Sequence, residues 1–323
     1  MRLRSILTSL CVTLSAGVAT AQTYPARPVT MIVVFAAGGP TDIMARIAGE
    51  HMGRTLGQQF VIENVAGAGG TTGGTRGAKA AADGYTLTVG SLGSHAAAPA
   101  LYKSVGYDPR ELDTIGLIAG TPSYLVVRKE FPARTFAEFL ALARQNPNKL
   151  TNGHAGVGST PHLSCLLLAS LTGLKVSQVP YRGSGPAMND LVAGQIDSMC
   201  DLAPTVVPQI QAGTIRGLLV GLPERALTTP DVPTAREAGV PDYLFSGWNA
   251  IFTPKGTAKE AVDKLSGALL AALNDPAVRK RIEDLGSVPA KPAEATPDAL
   301  RKLVASDVDK WKRVIAEAGV EAQ

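Results

Sequence analysis

The sequence predicts an α/β fold built from parallel βαβ units in two halves, and three observations predict it. Short apolar runs of strand length alternate with amphipathic stretches of helix length along most of the chain. Glycine-rich turns separate them, with glycine and alanine abundant and aromatic residues at only 5%. One device occurs twice in layout. At 29–42 an apolar run breaks at Ala36-Ala37-Gly38-Gly39-Pro40 and leads into a helical pattern, and 151–171 repeats that plan without repeating its residues.

Taken in order, 29–36 reads as a strand and 41–56 as a helix, with Met44, Ala48, Met52 and Leu56 at four-residue spacing beside Ile43 and Ile47. The run 60–64 reads as a second strand. The glycine loop Gly67-Ala68-Gly69-Gly70 follows it, then a small-residue helix over 73–82. Asp83-Gly84 turns the chain into a strand at 85–90. The second half begins near Ser123, with strands at 124–128 and 150–154 flanking a helix at 135–145. Gly156-Val157-Gly158-Ser159-Thr160-Pro161 then opens a helix. Pro161 suits its first turn, Ser159 or Thr160 its cap, and Gly173 its stop. Strands at 176–180, 196–200 and 218–221 and a helix at 186–193 complete this half. Beyond Gly247 the chain is helical at 259–273 and 298–318, with a short proline- and alanine-rich connection at 289–297.

The first residues stand outside the fold. Arg2 and Arg4, an apolar run over 6–19 and the small residues Ala19-Thr20-Ala21 form the pattern of a cleaved export signal, with the mature chain starting near Gln22. No later stretch reaches ~18 consecutive apolar residues. Losing Arg2 and Arg4 and no acid takes the formal charge from +4 to +2. With no basic tract, nucleic acid is not an expected partner. Cys165 and Cys200 remain, and read either as a disulfide, permitted in an exported chain, or as two buried thiols. No nucleophile elbow, phosphate-binding P-loop, dinucleotide fingerprint or H-E-x-x-H pattern is present, so no enzyme, cofactor or metal is expected.

The ordered series Val33-Val34-Phe35-Ala36-Ala37-Gly38-Gly39-Pro40-Thr41-Asp42, Glu63-Asn64, Gly67-Ala68-Gly69-Gly70, Ala82-Asp83-Gly84-Tyr85, Tyr107-Asp108-Pro109, Gly158-Ser159, Val179-Pro180-Tyr181-Arg182-Gly183, Asp190-Leu191-Val192-Ala193-Gly194 and Gly247-Trp248 resembles the Bug-type extracytoplasmic receptors of tripartite tricarboxylate transporters. The resemblance spans nearly all of the mature chain. It implies a type II periplasmic-binding-protein fold with a ligand cleft between two lobes. One lobe would be 22–123 plus 247–323 and the other 124–246, with 1–21 as the signal. It also implies a periplasmic, monomeric receptor that hands a small organic acid to membrane transporter subunits. A subunit presenting the acid to a membrane sensor kinase is the alternative.

The resemblance places a ligand carboxylate between two loops, one carrying Ala37, Gly38, Gly39, Pro40, Thr41 and Asp42 and the other Gly156, Gly158, Ser159 and His162. Helix N-termini suit that task, because spare N–H groups and a partial positive charge gather there. An acid so near a carboxylate would repel it, so Asp42 is expected to brace its loop. Ser91 and His95 follow a strand end that faces the cleft. Arg182 would neutralise a second carboxylate, and Asp201 would suit a ligand amine, amide or hydroxyl. Trp248 and Asn249 lie near the return crossing, where Trp248 would stack on ligand or pack the hinge. Tyr24 is a candidate for one wall.

Overall fold

The computed structural model describes residues 24–317, so the predicted export signal lies outside the described residues. The first half runs β1 (Val29–Val33), α1 (Pro40–Leu56), β2 (Phe60–Asn64), α2 (Thr71–Ala78), β3 (Thr86–Ser91), α3 (Ala98–Leu101) and into β4 (Asp113–Arg128). The second half continues α4 (Phe136–Gln145), β5 (Thr151–His154), α5 (Thr160–Thr172), β6 (Ser177–Pro180), α6 (Ser184–Val192), β7 (Ser198–Leu202), α7 (Ala203–Gln211) and β8 (Ile215–Val220). The chain then returns through β9 (Ser246–Thr253) to α8 (Lys259–Asn274), α9 (Pro276–Asp284), β10 (Val288–Pro289) and α10 (Pro297–Glu317).

Eight of the ten strands form one continuous path, β2-β1-β3-β9-β4-β7-β5-β6, and β8 and β10 pair with β4 beside it. β1 is parallel to β2 and β3, as a βαβ unit requires, and β5 is parallel to β6 and β7. Long β4 joins the two lobes. Its residues 113–122 pair with β9, and Ser123 onward pair with β7 and β8. The return crossing lies alongside, where Ser123 N–H donates to Phe245 O and Phe245 N–H donates to Gly221 O. The two crossings are therefore hydrogen-bonded neighbours.

The α1 spacing does what the sequence requires. Met44, Ala48 and Met52 are fully buried on one face of α1 against Met31 and Val33, each methionine contributing about 1.5–3 kcal/mol by burial. Cys165 on α5 and Cys200 on β7 form a disulfide across a Cα separation of 5.6 Å, which decides between the two readings of those residues. Among the described residues no helix is long and apolar enough to cross a membrane.

Four elements depart from expectation. β4 is sixteen residues long where only its last five were expected, because Gly116, Gly120 and Pro122 break the alternation over its first part. β9 was not expected. α7 carries Pro204 at its start and Pro208 inside, which disguise it as a loop. α9, capped by the Asp275 carboxylate on Ala277 N–H, is a separate nine-residue helix.

Candidate functional site

The break after β1 has a simple local cause. Gly38 adopts φ +79°, which strains any residue with a Cβ. Gly39 stands at the helix N-cap with no side-chain cap, and Pro40 occupies the first turn, where its missing N–H costs nothing. The first-turn N–H groups of α1 therefore have no side-chain acceptor at the cap. Asp42 is the loop's brace, as the sequence suggested. One carboxylate oxygen accepts Gly38 N–H at 3.0 Å and Arg46 Nε at 2.9 Å, and the other accepts Arg46 Nη2 and Asn64 Nδ2. Burial raises the Asp42 pKa, but these donors outweigh it and hold the carboxyl below its usual range.

Opposite lies the turn between β5 and α5. Gly156 and Gly158 both have positive φ, and Ser159 caps α5 by accepting His162 N–H. Two imidazoles hold this turn from behind. His154 Nδ1 accepts Gly156 N–H and His162 Nδ1 accepts Gly158 N–H, each at 3.2 Å. Their rings are 4.5 Å apart. Burial lowers His154 to about 4 and His162, which also feels His154, to about 3. Both rings are neutral at physiological pH and serve as acceptors for the loop.

Two further helix N-termini complete the site. α6 starts after Gly183 and α7 after Leu202, neither with a side-chain cap. α6 meets α1 head to head: Ala36 N–H donates to Arg182 O at 3.2 Å, and a Cβ on Gly185 would stand 2.2 Å from Ala37 O. The end of β3 closes the ring. Gly93 N–H donates to Thr160 Oγ1 at 3.0 Å, and that hydroxyl donates to Ser91 Oγ at 3.3 Å.

These parts enclose a cavity of ≈ 10 Å³, about the space of one water. The first lobe lines it with Gly39, Pro40, Thr41, Ser91 and Phe35, the second with Thr160, Pro161, Ser184, Leu202 and Ala155. No lining side chain is charged. Four helix N-termini and four hydroxyls converge on the space, an arrangement suited to an anion. Thr41 is oriented by Asn249 on β9, whose Nδ2 donates to Thr41 Oγ1 at 2.9 Å while its Oδ1 has no partner.

The remaining candidates lie behind or beside this cavity. Ala37 and Gly38 line an adjoining groove of ≈ 310 Å³ with Gly185, Pro204 and Thr205. Gly156 and the exposed Arg182 line another of ≈ 300 Å³ with Gly69 and Tyr102, whose hydroxyl donates to Val157 O across the lobes. Asp201 is fully buried behind Ser184. Two positions, His95 and Tyr24, need correction, and Trp248 is decided between its two readings. His95 turns into the core, stacked 4.4 Å from Phe252 with Nδ1 on Ser94 Oγ, and burial lowers its pKa to about 3. Trp248 faces away from the cavity and donates from Nε1 to Asp307 on α10 at 2.8 Å, so it packs. Tyr24 bonds Gly84 O, at the opposite end of β3 from Ser91. Sequence reasoning missed Ser184 and Leu202, although Gly183-Ser184-Gly185-Pro186 echoes Gly38-Gly39-Pro40 and was a usable signal.

Comparison with known proteins gives the family and the fold. Residues 44–320 match the family model described as the tripartite tricarboxylate transporter family receptor. An Agrobacterium vitis protein encoded in the ttuE–ttuC′ intergenic region is 41% identical, over 99% of this chain and 92% of its own. The structure of the periplasmic binding protein BugD superposes with a TM-score of 0.90 at 40% identity, covering 93% of this chain and 100% of that one. The structure of MatC from Rhodopseudomonas palustris with bound malate superposes with a TM-score of 0.87 at 42% identity, covering 90% and 100%.

Proposed function

Because the chain belongs to the tripartite tricarboxylate transporter receptor family, and thus among Bug-type solute-binding proteins, we propose that it is a periplasmic receptor that captures a small carboxylate between its lobes and delivers it to membrane transporter subunits. The observation that carries the reading is the meeting of four helix N-termini, α1 from one lobe and α5, α6 and α7 from the other, on a cavity lined by hydroxyls and free of charged side chains. Partial positive charge and unfilled N–H groups hold a carboxylate without any cationic side chain.

In this reading the lobes are 22–123 plus 247–323 and 124–246, and they part at the β4 and 221–246 crossings. A space for one water does not admit a four-carbon acid, so ligand enters an opened cleft. Its carboxylate then takes over the donors that Ser91, Gly93 and Thr160 now share across the gap. Contacts to both lobes exist only when the cleft is shut, so ligand shifts the population toward closure. The closed monomer is what the membrane subunits receive. The malate seen in MatC makes dicarboxylates the first acids to test. Thermal-shift screening of mono- and dicarboxylates against sugars and nucleosides tests the proposal. Stabilisation by at least one acid is expected, and stabilisation by sugars or nucleosides alone overturns it.

A further inference from the structure

The helix N-termini around the cavity, and Thr41 among its four hydroxyls, offer protons, whereas Thr160 already donates to Ser91 Oγ. Helix N–H groups offer theirs by geometry, and Thr41 has its oxygen filled by Asn249 Nδ2 and its own proton free. Ser184 differs. Its hydroxyl donates to Asp201 Oδ1 at 2.6 Å, so toward the cavity that it lines it presents only lone pairs. Asp201 is 0% exposed and its second oxygen, Oδ2, has no hydrogen-bond partner among the described residues. A buried acceptor left unpaired is costly, and a donor brought to it is correspondingly favourable.

We infer that Ser184 and Asp201 form an accepting wall beside the donating helix N-termini, and that this wall selects acids bearing a hydrogen-bond donor, a hydroxyl or an ammonium, next to the clamped carboxylate. The inference rests on the carboxylate reading and names its substrate class. The placement is set by the fold. Asp201 is the penultimate residue of β7, on the same face as Met199 and hydrogen-bonded to the first residue of α6, and Leu202 directly after it lines the cavity. A substituent on the carbon beside the carboxylate is the part of a ligand that reaches Ser184 when the carboxylate sits among the helix N-termini. An unsubstituted acid leaves both acceptors unpaired, and a site built to accept a hydrogen bond rejects the analogue that lacks it.

The test is calorimetric titration, at a pH of about 8 where the Asp201 carboxyl is ionised, with two matched series, succinate, malate and aspartate, and propionate, lactate and alanine. In at least one series the hydroxy or amino acid binds ten-fold or more tightly than the unsubstituted acid, and which of the two wins identifies the donor. In Ser184→Ala, checked for folding by its melting curve, that ratio falls below three-fold. Asp201→Asn, which places an amide donor where the unpaired oxygen stands, lowers it as well. If the unsubstituted acid binds as tightly as its partners, or Ser184→Ala keeps the full ratio, the accepting wall is wrong while the carboxylate reading stands. If no member of either series, and no other acid, binds, the carboxylate reading itself has failed.

Discussion

Acidification should unfasten this protein through His154 and His162. Both rings are buried, neutral and hydrogen-bonded through Nδ1 to the turn that opens α5, and both pKa values are lowered from 6.5, to about 4 and about 3. A group whose folded pKa is depressed in this way is a base the unfolded chain protonates first. Below pH 6.5 the unfolded state therefore gains protons the native state refuses, and stability falls as pH drops toward the folded values. Each ring costs about 1.4 kcal/mol at pH 5.5 and about 2.5 kcal/mol at pH 4.5. Buried His95 adds a similar loss. Asp201 works the other way. Burial raises its pKa from 3.8 to about 7 against the opposing hydrogen bonds of Ser184, Leu202 and Thr205, so below that pH the native state holds a proton the unfolded chain releases, and the accepting wall operates only above it. Its contribution rises as pH falls from 7 toward 4 and offsets about one histidine. Urea unfolding of wild type and of His154→Asn/His162→Asn between pH 7.5 and 4.5 separates the pair from the rest. Asparagine keeps an acceptor near the Nδ1 position and does not titrate. The variant should lose less stability than wild type by about 3 kcal/mol at pH 5.5 and about 5 kcal/mol at pH 4.5. Parallel loss of stability in the two proteins would refute the assignment of these rings as neutral braces.

Three other substitutions probe separate parts of the site. Thr41→Ala removes a cavity hydroxyl and should weaken acid binding about ten-fold or more with little change in melting temperature, and unchanged affinity in calorimetry would remove Thr41 from the clamp. Gly185→Ala sets a Cβ 2.2 Å from Ala37 O across the lobes. It should obstruct closure and lower affinity while the chain stays folded, whereas wild-type affinity would mean the α1–α6 contact is dispensable. Replacing Cys165 and Cys200 together by alanine opens a loop of 35 residues. It should destabilise the protein by about 3–4 kcal/mol in denaturant melts, and a loss under 1 kcal/mol would contradict that.

The sequence was most readable where one physical cause dominates. Gly38-Gly39-Pro40 and Gly158-Ser159-Thr160-Pro161 announce helix starts because a positive φ, a cap and an N–H-free residue are needed there and few residues supply them. β9 was illegible because Gly247 and Asn249 interrupt its apolar run, and both are placed by the neighbouring β3 and β4. His95 and Trp248 carry polar atoms that suggested the cleft. Their rings instead satisfy those atoms on Ser94 and Asp307 and bury the rest, a choice made by packing partners distant in sequence. His154 and His162 come together because the glycines between them fold the turn back on itself. Ser184 and Asp201 meet because α6 begins where β7 ends, a tertiary fact.

A crystal structure of the protein with a bound dicarboxylate or hydroxy acid reaches the central claim most directly. It should show one ligand carboxylate between the first turns of α1 and α5, within hydrogen-bond reach of Thr41 on one lobe and Thr160 on the other. An acid held by one lobe alone, or seated in the outer groove beside Arg182, would contradict it.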